Sequence, residues 1–305
     1  MWSYLAYRLA GAVLVIYGAV TIVFLVLYWL PGDPAVLVAG ESATAETIAN
    51  VRRQLGTDQP LWQQYTTYIS GLVQGNLGVS FSTREPVSGR LWAQVPSTLA
   101  LTLLACGVAI VLGILLGVTA AVNKERWLDH LIQTLTVFVT AMPSFWLGIL
   151  LIMVFSVGLR WLPAIGNGSI KQLVLPVACL GLIASGRLAR MVRNSVLDVL
   201  HEPFVTTLRA KGLRERRVLF RHVLRNALIP VVTLLGMLIG ELMSGAVVTE
   251  TLFARQGVGR ILVEAIGVKD IPVIQGVILF AAVFYVFINT LVDVSYVWID
   301  RRVEL

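Results

Sequence analysis

The chain has 305 residues, 57% hydrophobic and only 13% charged, with a formal net charge of +7. A soluble domain carries about 25% charge, so this composition excludes a water-covered globule and also a soluble body with a single anchor. The positive charge does not point to nucleic acid, because Lys and Arg flank apolar segments, where they set topology.

Uncharged runs long enough to cross about 30 Å of hydrocarbon, roughly 20 helical residues, predict an all-α polytopic membrane protein with six transmembrane helices. Leu9–Leu30 is the first, completing an N-terminal segment 1–30. Its length and the rigid exit Pro31-Gly32-Asp33-Pro34 mark an anchor rather than a cleaved signal peptide. Residues 31–96 are too polar for membrane. They mix helical stretches, Thr44–Leu55 and Leu61–Leu72, with turns at Gly71, Gly75 and Gly78, and read as a small folded cap on the outer face. A membrane core over 97–305 follows. Its spans are Ser97–Val122, Leu131–Leu159 (interrupted by Pro143 and Gly148), the short Gln172–Gly186, Asn226–Thr249 with one acid, Glu241, and Ile271–Val292. Cys106 and Cys179 lie inside apolar runs, where no disulfide is expected, and two cysteines alone make no zinc site. The sequence has neither an internal repeat nor a low-complexity tract.

The basic residues set the orientation. With the N-terminus inside, the inner segments hold Arg8, Lys124, Arg126, ten residues between Arg187 and Arg225, and Arg301 and Arg302. The short outer loops hold only Arg160, Lys171, Arg255, Arg260 and Lys269. Four more lie in the long segment 31–96, which translocates largely regardless of charge. Both termini are therefore expected in the cytoplasm.

The loop between the fourth and fifth spans, 187–228, is the most informative stretch. Pro suits a first helical turn and Gly the position past a helix end, so Pro203–Lys211 reads as a helix of two to three turns, stopped by Gly212. A second helix is expected beyond it. Arg214, Arg217, Arg221 and Arg225 are spaced 3, 4 and 4, which aligns them on one helical face running into Asn226 and Pro230. The plainer reading is a basic face on anionic headgroups, which attract such residues by about 1 kcal/mol each.

Glu241 is a carboxylate within a span, costly there and hence a functional candidate. It either lines a pathway for a cationic group or is neutralised by protonation or by a neighbouring subunit; Gly240, Ser244 and Gly245 beside it favour close helix packing. Enzymatic motifs fail. His201-Glu202 opens like the zinc-protease signature, but position 205 is Val, and no Gly-x-x-x-x-Gly-Lys-Ser/Thr phosphate loop exists. An intramembrane Ser/His protease, the alternative from another class, needs a histidine in a span, and His130, His201 and His222 all lie outside the six.

The string Ala210-Lys211-Gly212-Leu213, with His222, Leu224-Arg225-Asn226-Ala227 and Pro230, resembles the cytoplasmic loop of binding-protein-dependent ABC importer permeases of the dipeptide, oligopeptide and nickel branch. The resemblance runs nearly end to end. It takes in Pro31-Gly32-Asp33-Pro34, Leu55-Gly56 with Asp58, Pro60-Leu61, Gln64-Tyr65, Gly75, Leu77-Gly78 and Ser80. It continues through Trp161-Leu162-Pro163, Leu175-Pro176, Gly257-Val258-Gly259-Arg260, Asp270, Pro272-Val273-Ile274-Gln275, Asn289 and Val292-Asp293. The sequence departs from the family pattern at Thr206-Thr207-Leu208, where a Glu-Ala-Ala start is usual, at Arg255-Gln256 and at Asp300-Arg301-Arg302; these bear on subgroup, not family.

The resemblance implies a partnership: a homologous second permease subunit, two ATPase subunits beneath the pair, an extracytoplasmic substrate-binding protein, and surrounding membrane lipid. ATP and Mg would reside on the ATPase subunits, with no cofactor on this chain. The short helix would dock on an ATPase and carry its motion inward, making Pro203, Ala210, Lys211, Gly212, Leu213, His222, Arg225 and Asn226 the coupling residues and Glu241 a pathway residue. Di- and oligopeptides are the expected cargo, with nickel, a metal chelate or another small solute as the alternative, in the cell inner membrane.

Overall fold

Apolar residues in runs of twenty or more leave the backbone no partner but itself, and helix is the form in which every N–H and C=O is paired within the segment. A computed structural model of the chain has that character throughout, and it describes residues 2–29, 32–40 and 42–299. Leu30 and Pro31, and the inward-assigned Arg301 and Arg302, lie outside the described residues. Five helices are long and apolar enough to cross a membrane, and a bent helix pair makes a sixth if it counts as one span. The chain divides into two compact units, one formed by 1–98 with 256–286 and the other by 99–255 with 287–305.

In the first unit, α1 (Trp2–Trp29) leads to three short helices, α2 (Pro34–Ala39), α3 (Ala45–Leu55) and α4 (Leu61–Val73). Local chemistry sets their ends. Asp33 caps α2, accepting from the Ala35 N–H at 2.9 Å, and Thr44 caps α3, which Gly56 stops in the left-handed conformation. Arg52 of α3 pairs with Asp33, joining the two helices. Phe24 of α1 lies between Tyr65 and Tyr68 of α4, at centroid distances of 5.2 and 5.7 Å. Burial pushes the Tyr68 hydroxyl pKa up to about 12. The start of α5 (Val87–Val122), α13 (Val258–Gly267) and most of α14 (Ile271–Ile299) complete the unit.

A buried carboxylate pins the cap to this frame. Asp270, before α14, is 1% exposed; it accepts from Ser80 Oγ at 2.5 Å, Ser82 Oγ at 2.8 Å, and the N–H groups of Phe81 and Ser82 at 3.0 and 3.2 Å. Burial pushes its pKa up, and these donors outweigh burial, so the carboxyl lies below its ordinary value.

The second unit holds the rest of α5, then α6 (Trp127–Ala141), α7 (Ser144–Leu151), which widens into a π-helical turn over Ile152–Gly158, and α8 (Ile170–Leu200). After the connector come α9 (Pro203–Ala210), α10 (Glu215–Arg217), a second π-helical turn over Val218–Val223, α11 (Leu224–Ala227) and α12 (Ile229–Leu252). The α5 and α8 backbones touch along glycines. A Cβ on Gly117 would stand 2.6 Å from the Ala189 carbonyl oxygen, and one on Gly113 would stand 2.7 Å from the Leu188 Cβ. Such small-residue contacts are how helices associate where lipid removes the hydrophobic drive.

Three spans depart furthest from their sequence limits. The second begins at Val87 rather than Ser97 and takes Pro96 into its interior. The fourth runs to Leu200 rather than Gly186, because Arg187, Arg190 and Arg193 are good helix formers that end an uncharged run without ending a helix. The connector is correspondingly shorter than 187–228. The third is not straight: α6 and α7 meet at 107° around Met142-Pro143, since proline disfavours helical geometry in the residue before it.

Candidate functional site

The connector between α8 and α12 is built from two punctuation marks. Pro203 occupies the first turn of α9 after the extended Glu202. At the other end Gly212, at φ +76°, donates to the Arg209 carbonyl at 2.9 Å, and Leu213 donates to the Leu208 carbonyl at 3.3 Å. A Cβ at Gly212 would meet nothing within 4 Å. Only the backbone conformation therefore requires glycine there. Arg209 clasps the turn, donating from Nε to Glu215 Oε1 at 2.8 Å and from Nη2 to Oε2 at 3.3 Å.

The inner face of α9 is its link to the spans. Val205 is fully buried in one cluster with Val118 of α5, Val192 and Val196 of α8, Val218 and Val223 of the π turn, Ala227 of α11 and Val231 of α12. Leu208 and Leu213 pack against it. The outer face presents Phe204, Thr206, Thr207, Arg209, Ala210 and Lys211 to solvent.

Beyond Gly212 the structure departs from the single helix suggested by the arginine spacing. Val218 and Val223, five residues apart, would point to different sides of an α-helix at 3.6 residues per turn. The wide turn places both inward with no exposed surface. Arg214, Arg217, Arg221 and Arg225 are all exposed, and Arg214, Arg216, Arg217 and Phe220 line an open groove. His222 is half-buried, and Asn226 donates from Nδ2 to its carbonyl at 3.2 Å, holding the last turn before α12. Pro203 through Leu213 and the π turn are thus brought together through buried valines, while Arg225 and Asn226 stand at the entry to α12.

Glu241, on α12, has a partner in its own chain. Arg187 of α8 donates to its Oε1, beside a cavity of about 330 Å³ that includes Thr140, Ser144, Ser244 and Val248 in its lining. The acid alone is legible in sequence as a charge in an apolar run; its partner is 54 residues away. A second pair was not singled out by sequence reasoning. Arg193 Nε and Nη2 each donate to Asp129 at 2.7 Å, and the carboxylate also accepts from the Glu125 N–H and Gln133 Nε2, both at 3.0 Å. Asp129 is 1% exposed, and the fork joins the start of α6 to α8. Its signal was a lone acid in the first turn of α6. Among the described residues no group of three His, Cys, Asp or Glu could hold a metal.

Residues 109–305 match the family described as binding-protein-dependent transport system inner membrane component, and residues 1–102 match its N-terminal membrane component. The glutathione transport system permease protein GsiC of Escherichia coli K12 is 43% identical over 304 residues, covering 100% of this chain and 99% of that one. The same protein of Shigella dysenteriae serotype 1 is equally similar, at 43% over the same coverage. A chain of the MetNI methionine ABC transporter superposes over 69% of this chain and 96% of its own, with a TM-score of 0.59 at 20% identity, a likeness of fold alone. The chain therefore belongs to the binding-protein-dependent transport system inner-membrane component family, as a multi-pass permease subunit of an ABC importer that works with partner subunits and is not itself an enzyme.

Proposed function

We propose that this subunit forms half of a translocation pathway for di- and oligopeptides. A homologous permease supplies the other half, two ATPase subunits bind beneath, and an extracytoplasmic receptor delivers the cargo. Both termini face the cytoplasm, as the distribution of basic residues supports. In this reading α9 is the element an ATPase subunit grips, with Ala210, Lys211, Gly212 and Leu213 forming its stop and His222, Arg225 and Asn226 carrying the motion into α12. Glu241 belongs to the pathway.

One observation carries the coupling role: Val205 sits with no exposed surface in the same cluster as valines of α5, α8 and the π turn and as Val231 of α12. Close packing transmits displacement because interiors have few voids to absorb it. A push on the exposed face of α9 therefore moves helices rather than bending a loop. For cargo, support comes from end-to-end similarity to permeases of glutathione, itself a short peptide.

Reconstitution tests the proposal. Alone in liposomes the chain binds no ATP and moves no peptide; with the second permease, the ATPase subunits and a loaded receptor, uptake becomes ATP-dependent. Uptake by this chain alone would refute the reading in favour of a channel or secondary carrier. Reporter fusions at Asn123 and Glu215 read cytoplasmic and one at Gln74 external, and an external signal at Glu215 would overturn the orientation.

A further inference from the structure

Within the second unit, the cavity beside Arg187 and Glu241 is the place where charge stands deepest along an apolar helix. Glu241 lies twelve residues from Ile229 and eleven from Leu252. At 1.5 Å per residue it is about 17 Å from either end of α12. The side chains of Arg187 and Glu241 remain 45% and 49% exposed, so the pair is not sealed in protein. Charges at such depth belong before water or another polar group rather than lipid tails. The lining alternates hydroxyls (Thr140, Ser144, Ser244) with aliphatic side chains such as Leu238 and Val248. Its volume, about 330 Å³, is at the small end of ligand sites. Among the described residues that line it, Arg187 and Glu241 alone are charged, and their charges cancel.

We propose that Arg187 and Glu241 form a dipolar station that takes solutes bearing both an ammonium and a carboxylate, as the two termini of a short peptide do. This rests on the permease reading above and adds to it the chemistry by which the cargo is recognised. Such a solute opens the pair by exchange: its carboxylate takes the Arg187 guanidinium and its ammonium takes Glu241. Every ion trades one partner for another, and no charge is left unpaired at depth. A solute with a single charge would strand either the arginine or the glutamate, which is the costly arrangement. A bare metal cation would find one carboxylate and an opposing guanidinium. The station therefore selects by charge pattern, independently of the peptide's side chains.

The test uses the complete complex in liposomes, with labelled dialanine and labelled trialanine as probes. If the wild type takes up neither, the peptide reading itself fails and the station with it. Given wild-type uptake, Glu241→Gln and Arg187→Gln should each lower it at least tenfold while receptor-stimulated ATP hydrolysis persists. Wild-type uptake by Arg187→Gln would mean a simple cation site and would overturn the proposal. The double change Arg187→Met with Glu241→Leu separates transport from packing. It should insert normally and still fail to transport, whereas wild-type uptake would reduce the pair to a strut between helices. A cysteine at Ser244 gives a reading independent of those variants. A membrane-impermeant charged thiol reagent should modify Ser244→Cys, and either transported probe should slow the reaction; the buried Cys106 and Cys179 make the wild type the blank. An unreactive Ser244→Cys would mean that lipid or another subunit covers the cavity, and the proposal would fall.

Discussion

Replacing Gly212 by valine is the most direct test of α9 as a mechanical element. Residue 212 stands at φ +76°, and a left-handed conformation costs an L-residue roughly 1–2 kcal/mol, with β-branched side chains at the upper end. Since a Cβ there meets nothing within 4 Å, no clash adds to this. A penalty of about 2 kcal/mol corresponds to a factor of about 30 in the population of the native helix stop. That is too little to unseat spans held by lipid and by one another, and enough to misdirect the chain as it leaves α9. Gly212→Val should therefore insert at normal abundance while receptor-stimulated ATP hydrolysis in liposomes falls tenfold or more. Gly212→Asn, which tolerates the left-handed region, should stay near wild type, with Gly212→Ala between. Full stimulation in the valine variant would refute the coupling role. If the segment merely rests on headgroups, valine is silent, and reversing Arg214 and Arg217 to Glu disturbs insertion instead.

Asp129→Ala leaves the Arg193 guanidinium, only 16% exposed, without its counter-charge. Breaking such a pair costs about 3–5 kcal/mol, so the abundance of inserted protein should drop on an immunoblot, and Asp129→Leu with Arg193→Met should recover part of it. For Asp270 the folded pKa is depressed, so its contribution to holding the cap is fully present above the unfolded value of about 3.9 and disappears as pH falls through the lower folded value. Hydrogen exchange at residues 78–84 should stay protected from neutral pH down to about 4, and Asp270→Asn should weaken that protection throughout; loss in the wild type near pH 6 would contradict this.

What could be read in the sequence was what local chemistry decides. Pro203 and Gly212 bracket α9 because both act through their own backbone, and the structure ends the helix at Ala210, one residue short of the expected Lys211. Thr44 and Gly56 bound α3 for the same reason. The family could be read because its fragments recur in order over most of the chain. Hidden were features that depend on distant residues or on register. The α8 helix outruns its uncharged stretch because hydropathy detects charge rather than helix ends. Pro143 flagged an interruption without an angle. The π turn at Val218–Val223 is set by the demand to bury both valines, which no residue in the turn announces. Glu241 stood out alone, and Asp270 gained its donors from residues 188 to 190 positions away.

The glycine seam between α5 and α8 limits how this sequence can drift. Gly117 faces a carbonyl oxygen, and no change of neighbouring side chain makes room for a methyl group there, so position 117 is closed to substitution while the helices keep their spacing. Gly113 faces the Leu188 side chain instead. Its nearest atom, at 2.7 Å, is the Leu188 Cβ, which every residue but glycine carries, so alanine becomes admissible at 113 only where residue 188 is glycine. Among homologues, the seam should thus leave glycine frozen at 117 and, four residues earlier on the same helix, a glycine at 113 that gives way only when residue 188 of α8 is itself glycine.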